Sequence, residues 1–360
     1  MRLSRLRDRM LEQSLDGLLV SDIGNVQYLS GFTGSPGDAW LHISPTMAMI
    51  ATDSRYWEQA ERQCPGFELV KITARPDAVL PGMLARLEGP RVGFEADRFT
   101  VDLHDRWLKP LADYEWVATT GIVRELRATK QPEEVELMRE AVALADQSLA
   151  HGLRNARPGM TERELAWIIE AYMRTHGAQK ISFDFIVGAG PNGAMAHYLA
   201  ADTPLALGEP IVIDMGAKLN GYCSDLTRTV CLGDPLDPER FWDVYNTVLA
   251  AQQKAEAEIR AGVTGVEADA FARQVISEAG YGDRFGHGLG HGVGLEVHEM
   301  PRVSYLSEDT LQAGNLITVE PGIYITGWGG VRIEDIVLVT EDGVEVLTQS
   351  PKDPIIRGDW

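Results

Sequence analysis

The strongest constraint on this chain is that its second part repeats itself. Arg157-Pro-Gly-Met-Thr161 is matched by Arg260-Ala-Gly-Val-Thr264, each lying between one helix-like segment and the next. Gly208-Glu-Pro-Ile-Val-Ile-Asp214-Met-Gly216 is matched by Gly314-Asn-Leu-Ile-Thr-Val-Glu320-Pro-Gly322. In each copy an apolar strand ends in a carboxylate followed by X-Gly. A second carboxylate follows, Asp225 in the first copy and Glu334 in the second. The offsets between matched positions are 103, 106 and 109 residues, a drift that loops absorb. The expected result is two related halves, each helix-helix-strand-strand, whose pseudo-twofold axis brings four carboxylates together.

At 360 residues the chain exceeds what one core usually supports, so two domains are expected. The first third reads as a small α/β unit. An amphipathic opening helix leads to a strand at Gly17-Leu-Leu-Val-Ser21, and apolar strand-like runs recur at Met47–Ala51 and Arg91–Glu95. Asp53-Ser-Arg-Tyr-Trp57 reads as a strand end followed by a helix start. The pattern breaks around Gly121–Gln131, and Pro132-Glu-Glu then opens a long helix with acids near its positive end. The predicted class is α/β (α+β), with domains at 1–124 and 125–360.

Several functional classes are excluded early. Net charge is −20, from 33 basic and 53 acidic residues, and no basic stripe offsets the repulsion from phosphates, so a nucleic-acid partner is not expected. No apolar run has the length to cross a bilayer. The start, MRLSRLRDRM, interleaves charges where a signal peptide needs an apolar stretch. Cys64, Cys223 and Cys231 cannot all pair and match no zinc spacing, which fits thiols in a reducing compartment. A cytoplasmic protein is expected.

The chemistry concentrates in the repeat. Asp214 and Asp225 flank Lys218-Leu-Asn-Gly-Tyr222, where Asn220-Gly221 signals a two-residue hairpin. With that turn, residue 219 faces 222 and Asp225 lies opposite Gly216. Both aspartates then share a face, diagonally placed at about 7–8 Å between backbones. Two carboxylates on one sheet face repel each other and need neutralising. No pair of basic residues lies between them, so a divalent cation is the economical answer. The second half adds Phe285-Gly-His287-Gly-Leu-Gly-His291-Gly-Val-Gly-Leu-Glu-Val-His298-Glu299. Its glycines make a helix implausible and let the backbone approach a crowded site, and an extended chain puts His287 and His291 on one face. Glu320 ends its strand against Pro321, and Arg332 and Glu334 alternate onto one face of a strand Gly330–Val337. One histidine with four carboxylates suits Mn²⁺ or Co²⁺. Paired ions about 3.5–4 Å apart share a bridging water and bring its pKa to the neutral range. Each acid alone reads as solvated or salt-bridged; the matched repeat, the hairpin pair and the histidine segment together do not.

These residues resemble the pita-bread metallopeptidases, in particular the prolidase and aminopeptidase P branch. The His287–Glu299 segment, the Asp214…Asp225 segment and the Glu-Pro-Gly…Arg-Ile-Glu segment carry the resemblance, which spans the whole chain. It implies a creatinase/prolidase-like N-terminal domain and a C-terminal pita-bread domain. The metal ligands it implies are Asp214, Asp225, His291, Glu320 and Glu334, holding two divalent ions per subunit, Mn²⁺ first and Co²⁺ or Zn²⁺ as alternatives. It further implies a substrate-binding role for His197, contact of His298 with the substrate and the developing tetrahedral centre, and His287 lining a proline pocket. Tyr324 and Arg332 match positions that support the ligands, and Glu320 is the implied proton acceptor.

The implied activity is hydrolysis of the Xaa-Pro bond, most simply of dipeptides, because Arg302 matches an arginine that in prolidases holds a dipeptide's free carboxylate. Xaa-Pro aminopeptidase action on longer peptides is the alternative, and a non-catalytic peptide-binding scaffold on the same fold is a third. The resemblance also implies a homodimer, in which Gly34–Trp40 and Arg55–Trp57 are the segments to watch for closing the partner's pocket.

Overall fold

Thr161 and Thr264 open their helices by the same device. Each hydroxyl accepts the amide three residues on, from Glu164 at 3.2 Å and Glu267 at 3.3 Å, and each glutamate accepts the threonine amide at 2.8 Å. These reciprocal caps satisfy donors that a helix start leaves open, and they begin the helices Glu162–Thr175 and Gly265–Glu278. Each follows a longer helix, Pro132–Asn155 or Pro238–Glu258, with proline in the first turn. The computed structural model describes residues 2–360. It divides into a unit ending at Arg127 and a second unit, Ala128–Trp360.

The first unit is one sheet. Its strands are β1 (Gly17–Val20), β2 (Ala39–Ile43), β3 (Ala48–Asp53), β4 (Glu68–Ile72), β5 (Arg91–Glu95) and β6 (Glu115–Thr119), in the order β4-β3-β2-β1-β5-β6. β2 runs antiparallel to β1 and β3, and the other pairs are parallel. Leu19, Trp40, Met49, Val92 and Phe94 bury one core. The strands expected at 17–21, 47–51 and 91–95 are β1, β3 and β5, and β3 does end at Asp53 before the helix Trp57–Gln63. Asp38 accepts Ser35 N and Tyr56 OH, each at 2.8 Å, which ties the 34–40 loop to the 55–57 segment.

The second unit contains the repeat. Its first half adds β7 (Lys180–Ile181), β8 (Ile186–Ala189), β9 (Pro210–Met215), β10 (Ala217–Leu219), β11 (Tyr222–Cys223) and β12 (Leu226–Leu232). The second adds β13 (Gly290–Gly292), β14 (Glu299–Val303), β15 (Leu316–Val319), β16 (Gly322–Ile325), β17 (Gly329–Arg332) and β18 (Asp335–Val339). The run β9 to β12 corresponds to β15 to β18, and each half has its own core, around Leu165, Val187 and Ile213 in one and Val248, Ala272 and Ile317 in the other. The acids of the second half stand farther apart in sequence because the β16–β17 hairpin is longer, turning through Thr326-Gly327-Trp328 where β10–β11 turns through Asn220-Gly221.

The hairpin register is the expected one. Leu219 pairs with Tyr222 and Lys218 with Cys223, and Asn220 and Gly221 both take positive φ, 51° and 87°, as a two-residue turn matched to strand twist requires. Asp214 pairs with Thr227 and Met215 with Leu226, so Asp225 falls opposite Gly216 and shares a face with Asp214.

Two strand expectations need correction. Gly330–Val337 is not continuous: β17 pairs with β16, β18 pairs with β15, and Ile333-Glu334 is the crossing between the two ladders. At that crossing Glu334 N donates to Thr227 O at 3.1 Å, so the glutamate's backbone bonds to the other half. The histidine segment is not one strand either. Gly290–Gly292 pairs as β13, with a register shift after His291, Glu299 already belongs to β14, and His287 lies outside both strands.

Candidate active site

Four of the five proposed ligands, the carboxylates, come from matched places in the two halves, and His291 has no counterpart among them. Asp214 is on β9, Asp225 lies between β11 and β12, Glu320 follows β15, and Glu334 is on the crossing from β17 to β18. His291 is central in β13, where glycines are required for packing: a Cβ at Gly290 would meet Thr318 O at 2.1 Å, and one at Gly292 would meet Met300 O at 2.1 Å. Asp225, His291 and Glu334 bring one donor atom each within 4.8 Å of one another. His291 Nε2 lies 3.2 Å from Glu320 Oε1 and 3.6 Å from Asp225 Oδ2. Asp214 borders the cluster, its Oδ2 accepting Arg332 Nη2 at 2.5 Å while its buried Oδ1 has no partner.

The electrostatics are those of crowded, buried acids. Burial, followed by the charges of Glu334, Asp214 and Glu320, pushes the Asp225 carboxyl well above the usual range. Burial and the charges of Glu320 and Asp214 do the same to Glu334. Asp214 is raised mainly by burial, with Arg332 opposing. Burial also acts upward on Glu320, but the His291 hydrogen bond and charge outweigh it and hold that carboxyl at about 2. On His291 burial acts downward and Glu320 reverses it, leaving the pKa raised.

This donor set fits divalent cations. Ring atom Nδ1 of His291 faces Gly292 O at 3.1 Å. A carbonyl only accepts, so Nδ1 carries the hydrogen and Nε2 is the atom directed at the acids. A backbone carbonyl that fixes the tautomer is a common support for a metal-ligating histidine. The orphaned Oδ1 of Asp214 and the burial of Asp225 and Glu334, 5 % and 1 % exposed, leave acceptor oxygens that Arg332 alone does not fill.

The surrounding side chains form connected supports. Thr227 Oγ1 donates to Glu334 Oε2 at 2.6 Å and accepts Arg332 Nε at 3.1 Å. Arg332 Nη1 donates to Tyr324 OH at 2.7 Å, and Tyr324 OH lies 2.9 Å from His287 Nε2. Because His287 Nδ1 faces Gly288 O at 2.7 Å, Nε2 is the acceptor and Tyr324 donates to it. Burial lowers the His287 pKa and raises that of Tyr324, so both are neutral in this chain of contacts. Thr318 Oγ1 donates to Glu320 Oε1 at 3.0 Å and accepts His291 N at 3.1 Å. Behind the proposed ligands, the buried Arg228 donates to Thr227 O, Glu334 O and Asp335 Oδ1 at 2.9, 2.6 and 2.7 Å.

The residues expected on the substrate side are more open. His298 is exposed, its ring centroid 4.3 Å from that of His291, and burial followed by the His291 charge lowers its pKa. Arg302 pairs directly with His291 across β13–β14 and has an exposed side chain. His197 is exposed in the segment after β8, where Ala196 O accepts Arg332 Nη1 at 3.5 Å.

Sequence reasoning missed Thr227, Thr318 and Arg228. Thr227 was within reach of it, because it stands two residues after Asp225 as the chain enters a strand. Arg332 is the cation that reaches Asp214, and it comes from the opposite half rather than from between the aspartates.

All three cysteines are free and buried, and among the described residues no helix is long and apolar enough to cross a membrane. Residues 136–341 match the model of metallopeptidase family M24, and residues 2–129 match the creatinase/prolidase N-terminal domain. The chain is 36 % identical to the Xaa-Pro dipeptidase of Pyrococcus furiosus, over 98 % of this chain and 99 % of that protein. Its structure is similar to that of an Xaa-Pro dipeptidase from Bacillus anthracis, with a TM-score of 0.93, 40 % identity and 99 % of each chain covered. It is also similar to an X-Pro aminopeptidase from Thermotoga maritima, with a TM-score of 0.90, 35 % identity and coverage of 99 % and 100 %. With matched halves, a carboxylate-histidine cluster to which both contribute and relatives that align from end to end, this chain belongs to metallopeptidase family M24 and carries a creatinase/prolidase-type N-terminal domain.

Proposed function

We propose that this chain hydrolyses the Xaa-Pro bond of dipeptides. The observation that carries the reading is the convergence of Asp225, His291 and Glu334 within 4.8 Å, with Arg302 paired directly opposite His291. Asp214, Asp225, His291, Glu320 and Glu334 are assigned two divalent ions, Mn²⁺ before Co²⁺ or Zn²⁺, since the set is rich in oxygen donors. When bound, such ions supply Lewis acidity and a water that ionises near neutral pH.

The protein's own groups do the rest. Glu320, held by Thr318 and His291, takes the proton of the attacking water. His298 faces the carbonyl oxygen as it gains charge, and His197 binds the substrate beside it. His287, fixed by Tyr324, borders the proline ring. Arg332 holds Asp214 and Tyr324 in place. A proline nitrogen carries no N–H in the bond and must gain a proton to leave, returned by Glu320 or given by a neighbouring histidine. Arg302 receives the dipeptide's free carboxylate.

A cytoplasmic homodimer completes the proposal, supported by the family resemblance and, for the compartment, by three unpaired thiols; sedimentation of the purified chain tests the dimer. The likeness to an X-Pro aminopeptidase keeps a second reading, with longer peptides as substrates. Comparing kcat/KM for Ala-Pro and Ala-Pro-Ala separates the two. The dipeptide is preferred on our reading, and Arg302→Ala abolishes that preference. A tripeptide preference unchanged by Arg302→Ala establishes the aminopeptidase reading instead. A non-catalytic scaffold is disfavoured by the complete ligand set.

A further inference from the structure

Glu162 is a fully buried acid on the first turn of the helix Glu162–Thr175, and none of the chemistry above uses it. Its side chain reaches out of the helix into the segment that carries His197. Oε1 accepts Ala189 N at 2.8 Å and Asn192 Nδ2 at 3.0 Å, while Oε2 accepts Tyr198 OH at 2.9 Å and Ala201 N at 3.1 Å. One carboxylate therefore takes hydrogen bonds from residues 189, 192, 198 and 201, on both sides of His197. A buried charge is tolerated only when its lone pairs are filled, and this loop fills those of Glu162.

The other half solves the same problem with different residues. On the helix Gly265–Glu278, Asp269 Oδ1 accepts Leu289 N at 2.9 Å and pairs with Arg273, which in turn donates to Phe285 O at 2.8 Å and His287 O at 2.6 Å. In both halves a buried acid near the start of the second helix reaches a loop that bears a substrate-side histidine. The His287 loop has a further tie through Tyr324. Among the described residues the exposed His197 ring has no comparable side-chain hydrogen bond, so the placement of that ring depends on the backbone beneath it.

We propose that Glu162 is a positioning residue for the reaction, fixing the 189–201 segment so that His197 meets the substrate. The proposal rests on the reading of His197 as a substrate-side residue. A displacement of that loop on the scale of 1 Å weakens transition-state contacts by one to two orders of magnitude, without touching any proposed metal ligand.

A double-mutant cycle on the metal-loaded full chain tests this, with Ala-Pro as substrate and bound metal measured on each variant. Wild-type turnover and its loss in His197→Ala establish the underlying reading; an inactive wild type overturns that reading independently of Glu162. Glu162→Gln is expected to lower kcat/KM roughly 10-fold to 100-fold in the wild-type background. In the His197→Ala background it is expected to change it by less than about twofold, with metal content unchanged in both. Equal losses in the two backgrounds, an unchanged kcat/KM in Glu162→Gln, or a fall in bound metal overturns the proposal. Should Glu162→Gln not fold, Tyr198→Phe removes a single hydroxyl of the cluster, and the same dependence on His197 is required of it.

Discussion

Thr227 gives its hydroxyl hydrogen to Glu334 across the boundary between the two half-domains, at 2.6 Å. The same oxygen accepts Arg332 Nε at 3.1 Å, so one small side chain fixes an acid of the site and the arginine that serves its neighbour Asp214. Thr227→Val keeps the shape of the side chain but leaves a buried acceptor and a buried donor unpaired, at a cost of about 1–3 kcal/mol for each group. The expected outcome is a lower melting temperature and weaker metal binding, with Thr227→Ser close to wild type. A Val variant with unchanged melting and metal affinity would refute this role.

The planar guanidinium of Arg332 donates to Asp214, Thr227 and Tyr324. A lysine retains the charge but not the fork. Arg332→Lys is therefore expected to weaken metal binding about 10-fold to 100-fold, as loss of outer partners of metal ligands does. Calorimetric titration of the variant with Mn²⁺ reads this directly. Wild-type affinity in the lysine variant would mean that charge alone suffices.

The N-terminal unit contains a pH-sensitive group of its own. His42 on β2 is 1 % exposed with neither ring nitrogen hydrogen-bonded, and burial, helped by Arg86, lowers its pKa from 6.5 to about 4. The folded chain thus holds the neutral ring while the unfolded chain takes up a proton below about pH 6.5. The stability tied to this group is full above that pH and is lost as the pH falls toward 4, amounting to about 3 kcal/mol. Urea midpoints measured from pH 7.5 to 4 should fall for the wild type and fall less for His42→Leu. Parallel curves would show that His42 does not titrate as described.

The sequence carried the repeat, the β10–β11 hairpin and the five proposed ligands for physical reasons that can be stated. Asn220-Gly221 is among the few pairs that accept two positive φ angles, and once that turn is placed the faces of Asp214 and Asp225 follow by alternation. The break at Ile333-Glu334 was not legible in the same way. Residues 330–337 alternate well enough for one strand, and the break arises because β17 and β18 find different partners, with Glu334 N captured by Thr227 O. The glycines around His287 rule out a helix and by themselves point to extended chain. The position of His287 is set by Arg273, on the helix that precedes the segment, which donates to its carbonyl. Nothing in the sequence separates Glu162 from an ordinary first-turn acid; in the fold it faces inward.

The Asp225–His291–Glu334 cluster is proposed to cut a peptide bond with the help of divalent metal. The most direct measurement is the release of free proline from Ala-Pro by three samples: the Mn²⁺-loaded chain, the same chain after exhaustive chelation, and Asp225→Asn treated with Mn²⁺. Turnover by the first sample, at least about 10³-fold above the other two and restored to the chelated sample by adding Mn²⁺, is the predicted result. Intact Ala-Pro in all three samples, or turnover that survives both chelation and Asp225→Asn, would contradict it.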